Sequence, residues 1–420
     1  MTSSTLQLTT LPSGLRVITD TVTSVDSAVV GVWCDVGTRC EDPAENGVAH
    51  MVEHMMFKGT PTRSARDINE IVENVGGSMN AYTGHETTAY HMHMLKEDVP
   101  LALDLLADMI QRPAMPPEEI ERERGVILQE IGMCTDTPDD YVFDLWQETA
   151  YPGQMLGAPI LGTAEIVSSL SREALLAYVQ KFYTPRNLVV SVAGNAQHED
   201  ILAQVERLFT DLPGDTSFIK QQGRYHGGEI RKARDLEQSH VVMGFRGVSR
   251  HDPDYEAAMA LSIILGGGTA SRLYHEIREQ RGLVYSVYGF HNAYEDTGEV
   301  IVYAGTGPEK LPALMPVLCE EIVKMRAPVA AAELSRAKAM IKARLLMAQE
   351  SMMSRANRQA KHVMHFGKLP DLAEKRHRIE ALTVDDLARV AARVFDSKPT
   401  LAALGPLDRL ESYETIAARL

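Results

Sequence analysis

The stretch Ala49-His50-Met51-Val52-Glu53-His54-Met55 decides how this chain of 420 residues is read. Val48, Met51, Val52, Met55 and Met56 recur at spacings of three and four, the apolar stripe of a helix. Asn46-Gly47 offers a start and Lys58-Gly59-Thr60-Pro61 a stop. On such a helix residues i and i+4 share a face, so His50 and His54 point two imidazoles at one place. Glu53 borders that face, where a carboxylate can take a proton from water without ligating a metal. A single histidine on an apolar face reads as an ordinary core residue. His, Glu and His in this order would bury three ionisable groups, which is costly without a partner, and together they point to a metal ion. Catalytic zinc takes three protein ligands and leaves a fourth position for water.

A third ligand must come from elsewhere in the chain. Pro116-Pro117-Glu118-Glu119 opens a second helix, with prolines at the start and acids in the first turn. It runs on through Ile120, Val126, Ile127 and Ile131. Glu123 and Glu130 lie seven residues apart, two turns along one face, and either is within reach of a metal. Glu118, Glu119 and Glu121 read as a solvated acidic surface. Glu130 does not, because it sits inside the apolar run Val126-Ile127-Leu128-Gln129-Glu130-Ile131.

His-x-x-Glu-His is the reversed zinc-peptidase motif, and the chain resembles the pitrilysin-type zinc metallopeptidases. It is closest in look to bacterial relatives of the mitochondrial processing peptidase β subunit. In that family a Glu ligand that ends a Glu-x6-Glu pair follows the motif by about 76 residues; here 130 − 54 = 76, and Glu123 and Glu130 form the pair. Phe57-Lys58-Gly59-Thr60, Asn80-Ala81-Tyr82-Thr83, Ile160-Leu161-Gly162 and Phe182-Tyr183-Thr184-Pro185-Arg186-Asn187 agree as well. The likeness extends over nearly the whole chain, with no departure at a catalytic position. It implies one Zn2+ per chain held by His50, His54 and Glu130, Glu53 as general base, and Glu123 as an acid that orients His54 or the site.

Composition sets the frame. The length suits two domains rather than one core, and 45% apolar residues is ordinary for a globular protein. No run of 18 apolar residues occurs, so no membrane span is expected. Met1–Leu8 lacks the basic region and apolar core of a signal peptide and the arginines of a transit peptide. A bacterial cytoplasmic protein is the simplest expectation, a processed organellar form the alternative. Cys34, Cys40, Cys134 and Cys319 show no metal-type spacing and read as free thiols. Residues 1–215 hold 13 basic and 32 acidic side chains, net −19, and the remainder 29 and 25, net +4. An acidic half around the metal helix repels nucleic acid and anionic lipid and attracts basic peptides; solubility alone explains it equally well.

Alternating apolar residues predict strands at Leu15–Thr19, Ala28–Trp33 and Leu188–Ala193, and a hairpin of 78–83 with 87–94. Helices are expected at Ser64–Val75, Val99–Gln111 and Arg172–Phe182. The mixture lacks a βαβ rhythm, which favours α+β with largely antiparallel sheets. Glycines and charges at 216–236 read as a linker between a zinc-bearing domain, 1–215, and a second domain, 237–420. The second domain repeats the order of the first: strand (Ser239–Phe245), helices (Tyr255–Ile264, Ser271–Gln280), strand pair (Val284–Asn292, Glu299–Ala304) and helix (Pro312–Met325). An ancient duplication that keeps the metal ligands only in its first copy is the natural reading.

Two features of the second half stand out. Leu265-Gly266-Gly267-Gly268-Thr269-Ala270-Ser271 lacks the residues of a phosphate loop. It reads either as a loop that touches the peptide or as a turn capped by Ser271. Arg278-x6-Tyr285 before a strand matches the family's arginine–tyrosine pair. The resemblance implies that Arg278 and Tyr285 bind the substrate backbone, with Tyr285 helping an oxyanion; Arg281 is the competing arginine, and a surface salt bridge the plain alternative for either. Asn80, Ala81 and Tyr82 are candidates for an edge strand to which an extended peptide adds. His91 with His93, and His362 with His365, lack a third ligand in sequence and read as structural.

The family's clamshell enzymes use four such domains, so a homodimer is expected, its active site completed by the partner chain. The function expected is zinc endopeptidase action on unfolded or presequence-like peptides in an enclosed chamber, without nucleic-acid or membrane partners. The alternatives are a non-catalytic subunit like the family's respiratory core proteins, or a peptide-binding module stabilised by metal.

Overall fold

The computed structural model describes residues 4–420, so the first three residues of the N-terminal reading at Met1–Leu8 lie outside it. The chain runs through β1 (Ser4–Thr10), β2 (Arg16–Val22), β3 (Ser27–Cys34), α1 (Val48–Met55), α2 (Ala65–Asn74), β4 (Ser78–Thr83) and β5 (Thr88–Leu95). It continues through α3 (Val99–Gln111), α4 (Pro117–Asp136), α5 (Pro138–Ala150), α6 (Ala164–Ser169), α7 (Arg172–Phe182), β6 (Leu188–Gly194) and α8 (His198–Leu208). Then follow β7 (Gly228–Ala233), β8 (Ser239–Arg246), α9 (Tyr255–Gly266), β9 (Ser286–Ala293), β10 (Gly298–Thr306) and α10 (Leu311–Lys324). The last elements are α11 (Ala331–Met347), α12 (Met352–Phe366), α13 (Leu372–Ala381), α14 (Val384–Phe395), β11 (Thr400–Gly405) and α15 (Tyr413–Ala417).

Two sheets result, one of six strands in the order β1-β2-β6-β3-β5-β4 and one of five in the order β7-β11-β8-β10-β9. From β2 onward the two orders are the same. In each, one parallel pair (β2 with β6, β7 with β11) is followed by antiparallel neighbours. The expected α+β fold of two repeated halves with largely antiparallel sheets is what the chain forms. No described helix is long and apolar enough to cross a membrane, and all four cysteines are free.

The compact units are not the contiguous stretches 1–215 and 237–420. One gathers the residues through Ile131, Pro159–Gln221 and Leu346–Asp371; the other gathers Gly132–Ala158, Gln222–Leu345 and Leu372–Leu420. Thus α5, encoded in the first half, packs on β7, β8 and β11, and α12, encoded in the second, packs on β2, β3 and β6. The two helices hold the same place in the repeated order, each after a long helix (α4, α11). The expected linker at 216–236 also contains β7, paired in parallel with β11 from Gly228 opposite Thr400. Its glycines and charges misled because β7 is an edge strand, half in solvent, where Glu229, Arg231 and Lys232 are tolerated.

In the first unit α12 explains why the central strands are buried throughout rather than on alternate residues. Ala356, Ala360 and Val363 cover Ile18, Val29, Trp33 and Val189 on one face of the sheet. The other face carries the main core, with α3 and α8 against it. Polar anchors fix α12 in register. The Trp33 indole donates to Asn357 Oδ1 at 3.0 Å, and Ser191 Oγ donates to the Ala356 carbonyl at 3.0 Å. At the centre Arg355 makes a bidentate pair with Asp20, 2.6 and 2.7 Å, both side chains buried, and Gln359 donates to the same carboxylate.

Removing one partner of a buried pair leaves the other charge unpaired, at a cost of about 3–5 kcal/mol. Asp20→Ala is therefore expected to lower stability by that amount in urea unfolding followed by circular dichroism, with a smaller loss for Ser191→Ala.

Candidate metal centre

α1 begins at Gly47, whose φ of 98° is left-handed, and a Cβ there would lie 2.8 Å from the Leu161 carbonyl oxygen. Val48, Met51, Val52 and Met55 turn into the core. His50, Glu53 and His54 line the remaining face, His50 buried and the other two half-buried. The two rings meet edge to face, their centroids 4.7 Å apart.

α4 begins at Pro117, as its prolines suggest, and buries Ile120, Glu123 and Ile127. Glu123 Oε2 accepts the Nδ1 proton of His54 at 2.8 Å, while Glu130 Oε2 stands 3.7 Å from Nε2 of the same ring. Two acids two turns apart thus flank one imidazole, Glu123 holding Nδ1 and Glu130 facing Nε2, which is what the seven-residue spacing accomplishes. With its proton on Nδ1, His54 directs the Nε2 lone pair toward Glu130. His50 Nε2 is 3.8 Å from the same Glu130 oxygen.

These three ligand atoms lie within 4.8 Å of one another, the only such cluster among the described residues. The separations from Glu130 exceed a hydrogen bond. They approach the edge of about 3.4 Å expected for a tetrahedron with bonds of about 2.1 Å to zinc. Burial, with His54 alongside, pushes the His50 pKa down to about 4, so its imidazole is neutral and able to donate a lone pair. The donor set of two imidazoles and one carboxylate fits zinc.

Glu53 Oε2 is buried with no hydrogen-bond partner, and burial raises its carboxyl above the ordinary range. A carboxylate so placed binds a proton more readily than a solvated one, which favours a role as general base. Glu123 is also desolvated, but Lys58, 2.5 Å from its other oxygen, and His54 hold it below the ordinary range. Lys58 is a contributor that sequence reading passed over; it lies just past the end of α1 and turns back to Glu123.

β4 is the edge strand of its sheet and packs against α1. The Ala81 amide donates to Asn80 Oδ1 at 2.8 Å. Tyr82 departs from expectation, because its hydroxyl donates to Asn357 of α12 at 2.7 Å. Strand alternation turns Tyr82, and Asn80 two residues before it, to the α12 face, so Ala81 and the β4 backbone are what the strand keeps on offer to a peptide beside the metal helix.

In the second unit Ser271–Gln280 does not form the regular helix expected, but winds into a π turn at Tyr274–Glu279. This stacks Arg278 over Tyr274 and Tyr285, 4.9 and 5.5 Å from the ring centroids, with Tyr285 exposed. Arg281 is tied to Glu276 at 2.6 Å, the plain surface pair. The glycine-rich segment is a turn in which Ser271 Oγ accepts the Tyr274 amide at 3.4 Å, and Arg272 clamps Glu333 at 2.7 and 2.8 Å. His91 and His93 belong to no ligand cluster.

A sheet-bound helix carrying His-x-x-Glu-His, closed by a glutamate from a second helix, defines the reversed-motif class of metallopeptidase. Residues 16–164 match the family described as Insulinase (Peptidase family M16), and residues 169–341 match Peptidase M16 inactive domain. A protein described as an uncharacterized zinc protease from Rickettsia felis is 39% identical over 95% of this chain and 97% of its own length. Another so described, from Bacillus subtilis, is 35% identical over 96% and 99%. The chain belongs to the M16, pitrilysin-type peptidase family. The crystal structure of a protease from Helicobacter pylori, 24% identical, shares the fold with a TM-score of 0.90 over 96% of this chain and 100% of that one. So does the structure of a peptidase M16 inactive domain from Pseudomonas fluorescens, 19% identical, with a TM-score of 0.90 over 97% and 100%.

The clasp on His54 can be tested with Zn2+ as probe. Glu123→Gln is expected to weaken Zn2+ binding by about 10–100-fold, the usual effect of removing a partner of a ligating histidine, as measured by competition with a chromogenic chelator.

Proposed function

We propose that the chain is a zinc-dependent endopeptidase acting on extended, basic or presequence-like peptides. The observation that carries this is the convergence of His50, His54 and Glu130 with Glu53 beside them. In this reading His50, His54 and Glu130 hold one Zn2+. A bound zinc ion supplies Lewis acidity toward the scissile carbonyl and acidifies water. Glu53 takes the proton of the attacking water on a carboxylate oxygen and passes it to the leaving amine nitrogen. Glu123 keeps the His54 proton on Nδ1 throughout. The β4 edge binds the peptide by main-chain hydrogen bonds, independent of its sequence. The excess of acids in residues 1–215 favours a basic substrate.

Arg278 and Tyr285 contribute a guanidinium and a phenol to the peptide backbone and the oxyanion. The likeness to four-domain clamshell enzymes supports a homodimer in which these two residues act on the substrate held by the second copy. Such an enzyme would enclose its substrate and spare folded proteins, and a cytoplasmic setting goes with it. A non-catalytic subunit is disfavoured by the complete set of ligands and base.

Glu53→Gln is expected to retain Zn2+ and lose turnover of a quenched basic peptide by about 10²–10⁴-fold; persistent cleavage removes Glu53 from the mechanism. Tyr285→Phe is expected to lower kcat by about 10²-fold with Zn2+ content unchanged. Intact mass at assay concentration should give two chains, and full activity in a diluted monomer would count against the shared site.

A further inference from the structure

α1 is eight residues long, two turns, and so short a helix is marginal without outside support. It carries two of the proposed ligands, His50 in its first turn and His54 in its last. Its N-cap is Gly47, which has no side chain to satisfy the amides of the first turn. The close approach of Leu161 and Gly162 to Gly47 leaves no room for one. The usual cap is therefore sterically barred at this helix.

Glu41 supplies it from outside. This side chain is 6% exposed and lies on the loop between β3 and α1. Its Oε1 accepts the Ala49 amide at 2.8 Å, and its Oε2 accepts the Gly47 amide at 3.0 Å and the Asn46 carboxamide at 2.9 Å. Ala49 immediately precedes His50. The three donors converge on one carboxylate, which also meets the positive end of the helix dipole.

The loop is itself pinned. Two residues earlier, the buried Arg39 pairs with Glu86 at 2.6 Å and donates to the Gln221 carbonyl at 2.6 and 3.2 Å. Glu86 lies in the turn that joins β4 to β5. A Cβ on Gly37 would lie 2.0 Å from the Gly84 carbonyl oxygen, so the loop rests directly on that turn. The segment Gly37-Thr38-Arg39-Cys40-Glu41 is thus a brace with two outputs, one to the β4–β5 turn and one to the first turn of the metal helix.

We propose that Glu41 is a positioning residue for the metal centre, holding the first turn of α1 so that His50 meets His54 and Glu130 at one ion. The proposal rests on the zinc reading above and extends it to a residue that touches neither metal nor substrate. It implies that the carboxylate matters as an acceptor on both oxygens. An isosteric amide would turn a donor group toward an amide that already donates.

The test uses the full chain as wild type, Glu41→Gln, Glu41→Ala and Asn46→Ala. Zn2+ affinity is measured by chelator competition, coordination by the visible spectrum of Co2+-loaded protein, and folding by circular dichroism and urea unfolding of the metal-free chain. For Glu41→Gln, Zn2+ affinity is expected to fall at least about tenfold, within the range for supporting partners of metal ligands. The Co2+ spectrum should change while the metal-free protein keeps its secondary structure, and turnover should recover at saturating Zn2+. Asn46→Ala removes one donor and leaves the carboxylate, and a smaller loss in the same direction is expected. It carries the test if the Glu41 variants do not fold. Zn2+ affinity within twofold of wild type and an unchanged Co2+ spectrum in the folded variants would overturn the proposal, even with lowered stability. A wild-type chain that binds no Zn2+ would overturn both this inference and the peptidase reading.

Discussion

One imidazole bears the weight of the site. His54 is held at Nδ1 by Glu123 and faced at Nε2 by Glu130. Both acids project from one face of α4, so the distance between them is a property of the helix repeat. The ring must therefore present its unprotonated nitrogen to the side where His50 and Glu130 converge. The placement of α1 on the sheet, the direction of α4 and the fate of Lys58 all serve this arrangement. Lys58 completes the chain of charge by pairing with the remaining oxygen of Glu123.

The surrounding protein makes that geometry affordable. Each repeated half builds the same strand order, and each sheet needs helices on both faces before its central strands can be wholly apolar. In the first unit that cover is α12, locked by a buried Arg355–Asp20 pair and by Asn357, which accepts from both Trp33 and Tyr82. The same contact draws Tyr82 to the face opposite the metal helix. A residue expected to serve the substrate instead serves the packing.

Much of this was legible in the sequence, for definite reasons. α1, α3 and α7 were readable because their apolar residues follow the helical period and their ends carry glycine, proline or a serine cap. His50, Glu53 and His54 were readable because short-range spacing on a helix is nearly rigid; spacing alone left Glu123 and Glu130 open, and the family resemblance chose Glu130. The choice of Arg278 over Arg281 followed from register; in the structure Arg278 stacks on Tyr285 and Arg281 pairs with Glu276. β7, α5 and α12 escaped. β7 is a polar edge strand whose pairing with β11 is formed across more than 160 residues of chain. α5 and α12 have ordinary amphipathic patterns, and no local pattern says which sheet an apolar face will meet.

The sequence by itself determined the type of the strongly periodic elements and the His50, Glu53 and His54 face, since these depend on periodicities of a few residues, while Glu130 was named by the family resemblance. Tertiary structure alone decided which helix covers which sheet, that Tyr82 turns away from the site, that the Ser271–Gln280 segment winds into a π turn, and that Glu41 replaces the cap Gly47 cannot provide. The physical reason is common to all four. Each is a competition among long-range contacts for a limited interior, and its outcome depends on steric fit and polar satisfaction between segments far apart in the chain.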